Sequence, residues 1–143
     1  MATTLVFLEH NEGQLQRNAL GVLAKANTLG GDGAGVVLGF GGGDVAASAG
    51  AFGASTVYVV DDAALAAPLP QPRVDAIAEI VAQSGAENVL FGASVLSADV
   101  AAGLAARLDA GVNWDLTDLR ADGGSLVGVR PALGDTVVVE GGW

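Results

Sequence analysis

The period of the apolar positions changes repeatedly along the chain, and each change marks an element. Residues 5–8 (Leu-Val-Phe-Leu) form a short apolar run bounded by the polar turn 9–13, the pattern of a buried strand. From Leu15, apolar residues recur at Ala19, Val22, Leu23, Ala26 and Leu29, which predicts a helix, and Gly30-Gly31 supplies its stop. Residues 36–38 predict a second strand. After the glycine-rich turn 39–43, Asp44 is placed to cap a helix over 45–52. Residues 56–60 read as the third strand, and Asp61-Asp62 opens a short helical turn ending near Pro68. Pro68, Pro70 and Pro72 exclude continuous helix across 67–71. Pro72 suits the first turn of a helix that Val74, Ile77, Ala78 and Val81 carry to Ser84-Gly85. Residues 88–91 form the fourth strand, and Ser97 or Asp99 caps a helix through Leu108.

Strands and helices alternate over residues 1–111, which predicts parallel pairing by right-handed crossovers. The fold class is α/β: a three-layer α/β/α arrangement with a mostly parallel sheet, the runs 5–8, 36–38, 56–60 and 88–91 being its central strands. From Val112 the helical spacing stops. Segments 116–120, 125–129 and 136–140 alternate or run apolar, with turns at 122–124 and 134–135. They predict an antiparallel β-meander over 112–143 as a C-terminal extension. No repeat or linker interrupts the chain, so a single domain over 1–143 is expected.

Composition narrows the function classes. Six Lys+Arg stand against 16 Asp+Glu, for a net charge of −10, which argues against a nucleic acid partner. There is no cysteine and only one histidine, which removes thiol chemistry and His-paired metal sites. Alanine and glycine together make up about a third of the chain, so the 51% hydrophobic content owes much to small side chains, and no apolar run approaches the roughly 20 residues of a spanning helix. Met1–Thr4 leads directly into a strand-like run, with no leader pattern. The expected localisation is cytoplasmic, without membrane insertion.

Candidate chemistry is sparse. Gly39-Phe40-Gly41-Gly42-Gly43-Asp44 lies between a strand and a helix, and Asp61 follows Gly39 at about the spacing of a ribose-binding acid. Asp44, however, stands where the third glycine belongs, and the loop follows the second strand; an ordinary βα turn is the better reading. Asp61-Asp62 fits an N-cap and its neighbour better than a paired-carboxylate site. Glu9-His10 resembles an acid–base pair, but neighbours on a strand point to opposite faces, so a hydrogen-bonded turn histidine is expected. Ser94 and Ser97 lack a nucleophile motif. Trp114 and Trp143 are either interface or core.

Several segments, taken in order, resemble the N-terminal domain of the electron transfer flavoprotein alpha subunit. Leu5-Val6-Phe7-Leu8-Glu9-His10 with Gly13 and Leu15 is similar to that family's opening, and Thr56 through Leu65 to its "V-x-V-A-D-D-x-x-L". Asn88 through Ser94, Leu104 through Asp109, Gly111 through Asp115, and Val129-Arg130-Pro131-Ala132-Leu133-Gly134 continue the match. The chain departs from the family pattern at Ser97-Ala98-Asp99 and Ala102-Gly103, where family members carry arginines.

The resemblance implies an adenine nucleotide alpha hydrolase-like fold and a non-enzymatic subunit domain of an electron carrier. Its partner would be the electron transfer flavoprotein beta subunit. Through that complex, FAD would carry electrons from acyl-CoA or other dehydrogenases, as in fatty acid β-oxidation, to a quinone reductase. Family members hold most FAD contacts in a further domain beyond the point where this sequence stops, so none is expected on this chain alone. The alternative is a stand-alone adenine-nucleotide-binding domain using the 39–43 loop. Arg130, Arg107 and Asp115 are the candidate interface residues, Arg130 first, because a guanidinium offers five donors in a planar fork.

Overall fold

Strands rich in β-branched and aliphatic residues collect at the centre of the main sheet, and helices cover both its faces. The computed structural model describes residues 3–143; Met1 and Ala2, part of the segment read above for a leader, lie outside them. In order, the elements are β1 (Thr4–Phe7), a small hairpin of β2 (His10–Asn11) and β3 (Gln14–Leu15), α1 (Arg17–Ala26), β4 (Gly33–Gly39), α2 (Gly43–Ala49), β5 (Thr56–Asp61), α3 (Pro70–Ser84), β6 (Asn88–Phe91) and α4 (Val95–Leu108). A second sheet of β7 (Asp118–Asp122), β8 (Ser125–Ala132) and β9 (Val137–Gly141) follows.

The first sheet is parallel, in the order β5-β4-β1-β6. Only β1 and β4 are central, and both are buried at every position. The expectation of four central strands is corrected at β5 and β6: each forms an edge of the sheet and is partly exposed. Val6, Leu8 and Val37 pack with Ala19 and Leu23 of α1 and Val45 of α2 on one face. Leu5, Phe7, Val36 and Leu38 pack with Val74 and Ile77 of α3 and Val100 and Leu104 of α4 on the other. This is the predicted three-layer α/β/α arrangement.

Local chemistry moves several boundaries. Residues 10–15 form the β2–β3 hairpin, so α1 begins at Arg17 and not at Leu15. Asp44 does not cap α2; Gly42 holds the N-cap position and Asp44 sits in the first turn. The end of that predicted helix tightens to a 3₁₀ turn at Gly50–Phe52. Pro70, not Pro72, opens α3, because a first-turn proline loses no intrahelical bond. The N-cap of α4 is Ser94, whose hydroxyl accepts from the Ser97 amide; this replaces the expected Ser97 or Asp99.

The second sheet is the predicted antiparallel meander, in the order β7-β8-β9. Its strands begin up to two residues later than expected, and β8 runs on through Pro131. Proline fits there because the β7–β8 pairing ends at Asp118↔Val129, leaving that side of residue 131 unpaired. Lys25 of α1 meets Asp118 of β7 at 2.8 Å and ties the helical layer to this sheet. The Lys25 ammonium, with the Leu119 amide, holds the Asp118 carboxyl below its usual range. A depressed native pKa contributes stability above the unfolded value of about 3.9 and loses it as pH falls through the native value. Asp118→Asn is therefore expected to lower the urea midpoint slightly near neutral pH, with the difference from wild type closing on acidification. A gap that persists in acid would contradict this account of the pair.

Candidate functional site

The carboxyl ends of parallel strands are where an open α/β sheet presents its loops, above all where the strand order reverses. Here the chain moves outward from β1 to β4 and β5, then returns across the sheet to β6 on the other side of β1. The reversal point lies between β1 and β6, and the two residues after Leu8 reach to both sides of it.

Glu9 turns toward β6 and α4. Its Oε2 accepts from the Ser94 hydroxyl at 2.5 Å and the Ser97 hydroxyl at 3.0 Å, while Oε1 accepts from the Gln16 amide at 3.5 Å. The carboxylate thereby faces the N-terminal turn of α4, where the helix dipole favours negative charge. His10 turns the other way, and its Nε2 lies 2.9 Å from the Leu38 carbonyl of β4. A carbonyl only accepts, so Nε2 carries the proton. The imidazole can approach because residue 39 is glycine: a Cβ there would sit 2.9 Å from both Cε1 and Nε2. Glu9 and His10 thus work apart, as expected, although Glu9 lies between β1 and β2 and in neither strand, and the histidine is a hydrogen-bonded one.

The glycine loop is closed from within. Asp61 Oδ1 accepts from the Gly41 amide at 2.8 Å, and Asp62 caps the 3₁₀ turn Ala63–Leu65 through the Ala64 amide. The Gly41 amide, one of the donors a pyrophosphate could use, is already matched to a carboxylate, with Asp44 in the adjoining first turn. Two carboxylates at this turn, Asp61 and Asp44, disfavour the pyrophosphate of FAD or of another dinucleotide. No group of three or more metal-binding side chains occurs among the described residues.

A cleft of about 510 Å³ opens at this end of the sheet, lined by Phe7, Glu9, His10, Gly39, Phe40, Leu65, Arg73 and Leu96 among others. Arg73 escaped the sequence reading. It is only 7% exposed, and its Nη1 donates to the carbonyls of Ala67 (2.8 Å) and Leu69 (3.0 Å), its Nη2 to that of Leu65 (3.1 Å). Burial pushes its guanidinium pKa down, and the Glu9 carboxylate opposes that shift. A signal was present: Arg73 stands on the apolar stripe with Ile77 and Ile80, at spacings of four and three.

The interface candidates are dispersed. Arg107 pairs with Asp75 at 2.7 Å and joins α4 to α3. Asp115 is exposed in the segment between α4 and β7, with a left-handed φ of 59°. Arg130 lies half-buried on β8 opposite Val139, with no ion pair or hydrogen bond from its side chain among the described residues. Alternation along β8 places it on the same face as Gly128, opposite buried Leu119. No ion pair or hydrogen bond joins these three to one another. Trp114 and Trp143 are 62% and 57% exposed, which removes the core alternative for both. No helix among the described residues is long and apolar enough to cross a membrane.

Comparison with known proteins gives a consistent pattern. The electron transfer flavoprotein domain matches residues 4–140. Protein FixB of Rhizobium meliloti is 34% identical over 142 residues, covering 93% of this chain and 40% of that protein. The electron transfer flavoprotein subunit alpha of Mycobacterium tuberculosis is also 34% identical over 142 residues, covering 98% and 43%. That of Bacillus subtilis is 28% identical over 129 residues, covering 89% and 40%. The chain spans about two-fifths of the length of these relatives.

Proposed function

Because the chain belongs to the electron transfer flavoprotein domain family, we propose that it is an alpha-subunit-type domain of an electron carrier, without a catalytic site of its own. The observation that carries this reading is the family match, which runs through both the α/β layers and the β-meander. Residues 1–143 act as one unit that packs against a beta subunit and shapes the cleft for a flavin. The FAD, which would pass electrons from acyl-CoA or other dehydrogenases toward a quinone reductase, is held by residues outside this chain. The closed glycine loop supports that division of labour, since its Gly41 amide already serves Asp61. The same contact weighs against the stand-alone adenine-nucleotide alternative. The assembly acts in the cytoplasm.

The docking surface lies on the second sheet. Val137 and Val139 share a face with Arg130 by register, and all three are at least partly accessible. An apolar patch around one unpaired guanidinium has the composition of an interface anchor. Arg107 and Asp115 lie outside that patch and rank behind Arg130. Arg130→Ala is expected to weaken association with the beta subunit by about 10–30-fold, the size of a hot-spot truncation. Calorimetric titration of the purified subunits measures it. Undiminished assembly would remove Arg130 from the interface, and failure of the wild-type chain to bind any beta subunit would overturn the reading itself.

A further inference from the structure

We propose that the cleft at the carboxyl ends of β1 and β4 binds a small organic monocarboxylate with a flat or apolar body, seated on Arg73. The proposal concerns a site separate from the docking surface and does not depend on assembly.

Arg73 is nine-tenths buried and lines the cleft, yet has no carboxylate within ion-pair distance among the described residues. The nearby Glu9 carboxylate is turned away to Ser94 and Ser97. Three of the five guanidinium N–H groups go to the carbonyls of residues 65, 67 and 69. One on Nε and one on Nη2 have no partner among the described residues. Two N–H groups on neighbouring nitrogens suit the two oxygens of a carboxylate.

The charge around the site limits the ligand to one negative charge. Among the described residues Arg73 is the only Lys or Arg lining the cleft, while Glu9 and Glu12 lie on its wall. A phosphate dianion would meet two carboxylates with one guanidinium to offset them. The rest of the ligand is defined by the apolar wall of Phe7, Leu38, Leu65 and Leu96 and by the Phe40 ring. Phe40 is 69% exposed between two glycines, an aromatic face open for stacking. The cleft volume of about 510 Å³ falls within the range of small-ligand sites.

Benzoate is the probe, with AMP and inorganic phosphate beside it, titrated into the full ¹⁵N-labelled chain and followed by amide chemical shifts. Benzoate is expected to bind saturably with Kd about 1 mM, a value in reach of a nine-atom ligand. The shifted amides should cluster at residues 39–41, 65–69 and 96. Phe40→Ala, a change at an exposed ring, should weaken binding about tenfold while leaving the fold intact. Arg73→Lys keeps the charge but loses the paired donors, and should abolish saturation. Should Arg73→Lys fail to fold, the Phe40→Ala result decides. No saturation by 10 mM benzoate, shifts mapping elsewhere, an unchanged affinity in Phe40→Ala, or tighter binding of AMP or phosphate would each overturn the proposal.

Discussion

Leu8→Ala is expected to destabilise the fold by about 3–5 kcal/mol, the upper part of the range for a buried leucine truncation. Leu8 is fully buried, follows β1 directly, and holds its place in the sheet through an amide bond to the Val36 carbonyl at 2.8 Å. Its side chain packs into the face covered by α1 and α2. The space it fills exists because residue 35, beside it on β4, is glycine: a Cβ there would come within 2.6 Å of Leu8 Cδ1. Neighbouring strands cannot shift to close the hole, since β4 is held by β5 and β1 on its two sides. The same complementarity makes Gly35→Ala an overpacking change, costing about 1–3 kcal/mol. Combined, the two substitutions exchange volume across one contact. The double variant should then be at least about 1 kcal/mol more stable than the sum of the single effects. Urea denaturation of the four proteins measures the cycle. Strict additivity would mean that Leu8 and residue 35 do not share the space described.

What could be read before any coordinates followed from period and turn chemistry. The alternation of apolar runs with helical spacing gave the α/β layers, and the loss of that spacing after Val112 gave the meander. Position within the sheet was not legible. The run 56–60 carries three valines and a tyrosine and reads as a strand like 36–38, yet it forms an edge, because strand order is decided by crossovers and not by composition. The β2–β3 hairpin was missed because two-residue strands in a polar turn carry no period.

The site divides along the same line. Glu9 and His10 face apart and Asp62 is the cap its position suggests, but the glycine loop is closed by Asp61 and not by the expected Asp44 cap. Ser94 belongs to no catalytic motif; its partnership with Glu9 links residues 85 apart, beyond any local pattern. Arg73 shows in the sequence only through its spacing from Ile77 and Ile80, which does not by itself indicate burial of a charge. A charged residue is assigned to the solvent by default, and its burial depends on three carbonyls of a proline-rich turn whose path the local sequence does not show.

Glu9→Ala is expected to cost about 3 kcal/mol, although the side chain contributes little apolar packing. The loss comes from what remains behind. Ser97 is 1% exposed, and its hydroxyl has the Glu9 carboxylate as its acceptor at 3.0 Å. An orphaned buried donor costs about 1–3 kcal/mol, and hydrogen bonds to a charged acceptor are worth about 1.5–3 kcal/mol each. The substitution also removes a negative charge from the N-terminal turn of α4, a further few tenths to about 1 kcal/mol. Because the penalty lies in unmatched groups, removing the partner as well should relieve it. Glu9→Ala combined with Ser97→Ala is expected to recover at least about 1 kcal/mol relative to additivity. Hydrogen exchange should register the single change first in the opening turn of α4, where Ser94 loses the carboxylate that orients its capping hydroxyl. A single variant as stable as wild type, or a double variant no better than the sum, would show that Glu9 does not join the end of β1 to α4 in the way its contacts indicate.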